Sequence, residues 1–162
     1  MAQEKSIPTP HLIGVRGWLL LLCFVLTIGY PLSNLILMIK TYIETSQIFR
    51  HFPSFATALA VEYTIKGLNT AYSIYTGILL WKRRPGAVGN AKRFILLQPV
   101  VVCLTYIPYA LAHLPAPVVE ALAAETAKML SWGIVWSGAW WFYLRKSQRV
   151  RNTFPHDFLA KR

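Results

Sequence analysis

Five polar side chains interrupt long apolar runs and set the question of chemistry: Glu62, Lys66, Asn69, Glu125 and Lys128. Glu62 and Lys66 stand at i, i+4 with the acid first, the better order for an ion pair on one helix face. Glu125 and Lys128 repeat the idea at i, i+3. Ionisable groups in an apolar setting serve either as a paired network that fixes helix register or as a site for a solute or a proton. Glu62 and Glu125 would offer two carboxylates for acid-base work if their helices met, but a lysine beside each favours pairing over proton transfer. GxSxG, HExxH and P-loop patterns do not occur, so no enzyme activity is expected. Cys23 and Cys103 lie in apolar runs without CxxC or metal spacing and read as inert, buried thiols. His11, His51, His113 and His156 are too far apart for the i, i+3 or i, i+4 pair of a helical metal site. Neither a metal nor another cofactor is expected.

The elements that must position these residues are long apolar helices. The chain has 162 residues, 55% of them hydrophobic and 14% aromatic, more than one soluble domain of this size needs to bury. The apolar residues fall into four blocks, at about 17–39, 57–81, 94–113 and 118–144, each able to cross about 30 Å of hydrocarbon at about 1.5 Å per residue. This predicts an all-α bundle of four transmembrane helices forming a single integral membrane domain. The net charge of +11 could suit nucleic acid, but its distribution argues for membrane topology instead. Of 17 Lys and Arg, thirteen lie in the N-terminal tail, between blocks two and three or after block four, whereas Lys40 and Arg50 alone separate blocks one and two. Such asymmetry over short connections puts both termini in the cytoplasm, with anionic lipid headgroups as partners and no nucleic acid. The first block is too long for a signal-peptide core and is followed by three more, so it is expected to stay in the mature protein. Residues 40–56 carry Tyr42, Ile43, Ile48, Phe49, Phe52 and Phe55, and predict an amphipathic segment on the outer interface. Residues 145–162 form a basic cytoplasmic tail.

At about 100° per residue, Glu62, Lys66, Asn69, Ser73, Thr76 and Gly77 share one sector of the second helix, an inward polar stripe. Asn69 is expected to bond to another helix, with Asn34, Gln98 or Thr105 as candidates. The second and fourth helices run in the same direction and carry their charges at similar depths, which predicts one outer cluster of Glu62, Lys66, Glu125 and Lys128. Below it Met129, Trp132, Trp136 and Trp140 continue the face of the fourth helix, the indoles read as packing or lipid-facing in preference to a ligand-stacking wall. Weaker stripes run through Cys23, Thr27, Tyr30 and Asn34 on the first helix and Gln98, Thr105 and Tyr109 on the third. Pro31, Pro99 and Pro108 should bend their helices. Gly67 to Ala71, Ser73 to Gly77 and Gly133 to Ser137 have the spacing that lets helices approach closely.

Two ends of the chain resemble a known family. Gly14-Val15-Arg16-Gly17-Trp18-Leu19 with an apolar run to Pro31-Leu32, and Tyr143-Leu144-Arg145-Lys146-Ser147-Gln148-Arg149-Val150-Arg151-Asn152-Thr153-Phe154, resemble the bacterial DUF2569 proteins. Arg16 stands where a glycine is more usual and Gln148 where a lysine is. The resemblance implies a small four-helix protein of the bacterial cytoplasmic (inner) membrane. It supplies no active residues, because the family has no defined function. The tail reads as a junction with the membrane: Trp18 lies at the same depth, Arg145, Lys146, Arg149 and Arg151 face the anionic leaflet, and Phe154 dips back as an apolar anchor. The function expected is that of a structural or accessory subunit packed against a larger membrane partner. The alternative is a small-solute binder or transporter acting as a homo-oligomer through the polar cluster.

Overall fold

Residues 14–46, 52–112 and 114–159 are described by a computed structural model. His11, His51 and His113, and the middle of the expected interfacial segment with Ile48 and Phe49, lie outside the described residues. The described chain is helical with no strand, and its two short terminal helices follow four long ones. Helix α1 spans Trp18–Thr45, α2 Pro53–Trp81, α3 Ala87–Leu111 and α4 Ala116–Lys146; α5 is Gln148–Thr153 and α6 Pro155–Leu159. Two of them, α1 and α3, are long and apolar enough to cross a membrane, with a mean hydropathy of 2.0 and 1.9 over their most apolar windows. Only 22% of each window is buried inside the chain, the reverse of a soluble core helix.

Helix boundaries follow local chemistry more than the apolar blocks do. α1 continues through Thr45, and α2 begins at Pro53, whose missing N–H costs nothing in a first turn. Of the segment expected at the outer interface over 40–56, residues 40–45 continue α1 and 53–56 open α2. α3 starts seven residues ahead of the apolar block, at Ala87, after a turn in which Gly86 (φ 80°) and Arg83 (φ 49°) take left-handed backbone. Polar residues such as Asn90 and Lys92 continue a capped helix beyond its apolar stretch, so composition underestimates its length.

Each long helix packs against its neighbour in sequence, and α3 lies between α2 and α4. The main core sits at one end of the molecule, where Leu19, Leu22, Cys23 and Leu26 of α1 meet Leu80 of α2, Phe94 and Ile95 of α3 and Leu144 of α4. The tail belongs to this core. Val150 and Phe154 are 0% and 3% exposed, so Phe154 anchors in protein, not in lipid as the sequence suggested. At the other end a smaller cluster joins Phe55, Ala58 and Leu59 of α2 to Tyr109 of α3.

Candidate functional site

The polar stripe of α2 turns inward. Asn69, Ser73, Thr76 and Gly77 are buried, while Leu68, Ala71, Tyr75 and Ile78 are exposed. Asn69 Nδ2 donates to the Tyr30 hydroxyl of α1 and, at 3.1 Å, to Gln98 Oε1 of α3. Tyr30 in turn donates to the same Gln98 oxygen at 3.0 Å, and Gln98 Nε2 reaches Phe94 O at 3.1 Å and Asn69 Oδ1 at 3.4 Å. Three helices are thus tied at one point, about 18 Å along α1 from Trp18 and along α2 from Trp81. Of the partners expected for Asn69, Gln98 is present; Asn34 donates instead to Thr70 Oγ1 at 3.2 Å, and Thr105 bonds back to Val102 O of its own helix. Tyr30 was visible only as a member of the α1 stripe.

Two prolines generate further polar contacts. In α1 the turn Val25–Gly29 is a π-helix, and Tyr30 N bonds to Val25 O, five residues back. The next donor in that register would be the amide of residue 31, which is proline, so Leu26 O has no partner along its own helix. Ser73 Oγ of α2 donates to it at 2.8 Å. In α3 Pro99 cannot donate to Ile95 O, four residues back, and Ser137 Oγ of α4 fills that place at 2.8 Å. A serine on the neighbouring helix re-satisfies each freed carbonyl, as an apolar environment requires. The sequence marks Ser73 only as part of the inward stripe and both serines only as small residues; counting the carbonyl four or five residues before each proline locates the vacancies they fill. Of the small-residue pairs, Ser73 to Gly77 makes the close approach: a Cβ on Gly77 would lie 2.4 Å from Thr27 Cγ2. Cβ atoms built on Gly67 or Gly133 would meet nothing within 4 Å.

The charged residues form two sites, not one. Glu62 pairs with Lys66 and accepts a hydrogen bond from the Tyr109 hydroxyl of α3, the two charged side chains being 12% and 24% exposed. Nearby, Tyr63 donates to Met38 O of α1. Glu125 and Lys128 pair with each other at 3.9 Å on an open face of α4, 55% and 80% exposed. No ion pair joins α2 to α4 among the described residues. Matching depth and direction are insufficient because α3 intervenes: the polar face of α2 turns towards α1 and α3, and the face of α4 that carries Glu125 turns away. On α4, Trp132 is 71% and Met129 47% exposed, whereas Trp136 and Trp140 pack on the core, their rings 6.3 Å apart. Cys23 is buried, but Cys103 is exposed on α3, contrary to expectation. Among the described residues no three His, Cys, Asp or Glu side chains come together as metal ligands.

The two motif-bearing ends of the chain meet. Gly14 N donates to Thr153 Oγ1 at 3.1 Å. Asp157, which the sequence did not single out, accepts from Gly86 N and, at 2.8 Å, from Val88 N, capping the start of α3 with a carboxylate. Arg145 lies over the Trp141 ring at 5.1 Å, and Arg151 over Phe158 at 5.9 Å while reaching Arg145 O. Lys146 is exposed in the last turn of α4, and Trp18 is 67% exposed, edge-on to Trp140 at 6.4 Å. A half-buried Arg149 approaches Gly17, its Nη1 3.7 Å from where a Cβ would stand.

These features define a class: a small all-α protein with membrane-helix character whose interior polar groups join its helices and whose tail closes one end. The family model described as protein of unknown function (DUF2569) matches residues 12–155, and the chain belongs to that family. No curated protein and no solved structure matches the chain.

Proposed function

We propose that the chain is a four-span integral membrane protein of the bacterial cytoplasmic membrane, with both termini inside, and that it serves as a non-enzymatic structural or accessory subunit packed against a larger membrane partner. Four spans are supported by the lengths of α2 and α4, 29 and 31 residues, and by their packing in register with α1 and α3. Their charged residues lower their hydropathy without shortening them. Orientation rests on the thirteen-to-two excess of Lys and Arg on one side. The solute alternative is weakened by the tie between Tyr30, Asn69 and Gln98, whose polar groups are spent on each other.

The observation that carries the accessory reading is the outer half of α4. Glu125 and Lys128 enter about 13 and 18 Å from the start of α4 at Ala116, yet remain exposed and paired only with each other. An ionisable pair facing hydrocarbon costs roughly 2.5 kcal/mol or more per charge towards the bilayer centre, so a partner's polar groups are the natural cover. Trp132 and Met129 beside them supply apolar contact area. The test is purification of the tagged full chain in mild detergent. One membrane protein should co-purify in fixed ratio and be lost with Lys128→Ala or Trp132→Ala. Recovery of the chain as a lone monomer, identical for wild type and both variants, rejects the reading. A complex made only of this chain moves it to the oligomer.

A further inference from the structure

The cleft between α1 and α4 beside the tail is lined by Trp18, Ala139, Trp140 and Tyr143 and has a volume of about 190 Å³. Its walls are preformed: Trp18 stands edge-on to Trp140, and Trp140 edge-on to Tyr143 at 5.8 Å. Ala139 leaves the floor open. Arg149 lies near two residues of this site: its Nη1 is close to Gly17, the residue before Trp18, where the absence of a side chain leaves room for the guanidinium, and it is within electrostatic reach of Tyr143. Three other basic groups at this end are engaged on aromatic rings: Arg145 on Trp141, Arg151 on Phe158, and Lys92 over Phe158 at 5.4 Å. Asp157 is committed to the amides of Gly86 and Val88. Arg149 makes no hydrogen bond or ion pair with any acid among the described residues.

We propose that this cleft binds one anionic phospholipid of the cytoplasmic leaflet, an acyl chain against Trp18, Ala139, Trp140 and Tyr143 and its phosphate on Arg149. A guanidinium presents a planar fork that matches phosphate oxygens, and a half-buried one without an acid partner gains most from that contact. The apolar cleft continuous with the charge selects a lipid over free phosphate, which would leave the aromatic walls bare. Tryptophan and tyrosine at headgroup depth are suited to the seam between chain and headgroup. The site rests on the membrane reading above and adds to it a particular ligand and a particular cation.

The full-length protein, purified from vesicles of equal phosphatidylglycerol and phosphatidylethanolamine, would be examined by native mass spectrometry for retained lipid. The expected result is one phosphatidylglycerol per chain, preferred by about fivefold or more over phosphatidylethanolamine. Arg149→Gln should abolish the preference, and Arg149→Lys should keep part of it. Ala139→Val, which narrows the cleft with little change in volume elsewhere, should reduce retention of both lipids. Arg145→Gln with Lys146→Gln should leave the preference unchanged, and millimolar inorganic phosphate should not compete. An unaltered preference in Arg149→Gln, or equal loss in the Arg145/Lys146 variant, overturns the site and leaves a diffuse basic surface. Competition by inorganic phosphate overturns the lipid as its occupant. A chain that stays dispersed without detergent and retains neither lipid refutes the membrane reading itself, an outcome distinct from retention without selectivity.

Discussion

A single hydroxyl has opposite value at two buried positions. Ser137 Oγ completes the carbonyl that Pro99 leaves open, whereas Thr76 Oγ1, equally buried, has no partner among the described residues. Removing Ser137 Oγ leaves Ile95 O unsatisfied, which costs about 1 to 3 kcal/mol, while removing an unpaired hydroxyl costs nothing and relieves its desolvation. Ser137→Ala should therefore lower thermal stability in detergent, and Thr76→Val should leave it unchanged or raise it. The cause can be isolated by restoring the missing donor. Pro99→Ala supplies an amide to Ile95 O, so the loss on Ser137→Ala should shrink in that background; a double-mutant cycle with equal losses would show that serine and proline are not coupled. Asn69 differs again, because its amide joins Tyr30 and Gln98 and no one substitution can replace both contacts.

Between elements, the closest approach at any described glycine is that of α1 to Gly77 of α2. A Cβ there would stand 2.4 Å from Thr27 Cγ2 and 3.1 Å from Thr27 N, and the second of these is backbone that cannot turn aside. Gly77→Ala would gain helix propensity of about 1 kcal/mol in open surroundings, but here overpacking of about 1 to 3 kcal/mol opposes it. The variant should melt lower than wild type, whereas Gly133→Ala, with nothing within 4 Å, should melt the same or higher. Gly77→Ala matching Gly133→Ala would mean that the helices are not in contact there. This contact also shows where sequence reading succeeds and where it stops. The inward sector of α2, from Asn69 to Gly77, follows from a 100° period within one helix, and the structure buries it. Which neighbour receives that sector is a matter of helix arrangement, and periodicity carries no such information. Shared direction, similar depth, polar faces and balanced charge predict Glu62 beside Glu125, and none of these reveals that α3 stands between their helices. The same limit hid Asp157, since its partners at Gly86 and Val88 are some seventy residues away and nothing local marks a cap.

For the whole molecule, the contacts at one end constrain topology more tightly than charge alone. Asp157 of the tail holds the amides at the start of α3, Thr153 holds Gly14 ahead of α1, and Leu80 near the end of α2 shares the core with Leu144. The segment before α1, the turn between α2 and α3, and the tail must then lie on the same side of any membrane the chain crosses. Ala116, which opens α4, lies at the far end, with the Phe55 and Tyr109 cluster and the C-terminal end of α1. On the proposed topology the tie makes these segments share a side, and the excess of Lys and Arg is the ground for proposing that the side is the cytoplasm. A reporter enzyme active only in the cytoplasm should work when fused after Arg162 or inserted near Gly86, and should be silent when inserted near Ala116. Activity at Arg162 and Gly86 that disagree would contradict the tail's attachment to α3. Activity also at Ala116 would mean that neither α3 nor α4 crosses, because Ala116 lies between them, and would reopen the count of spans.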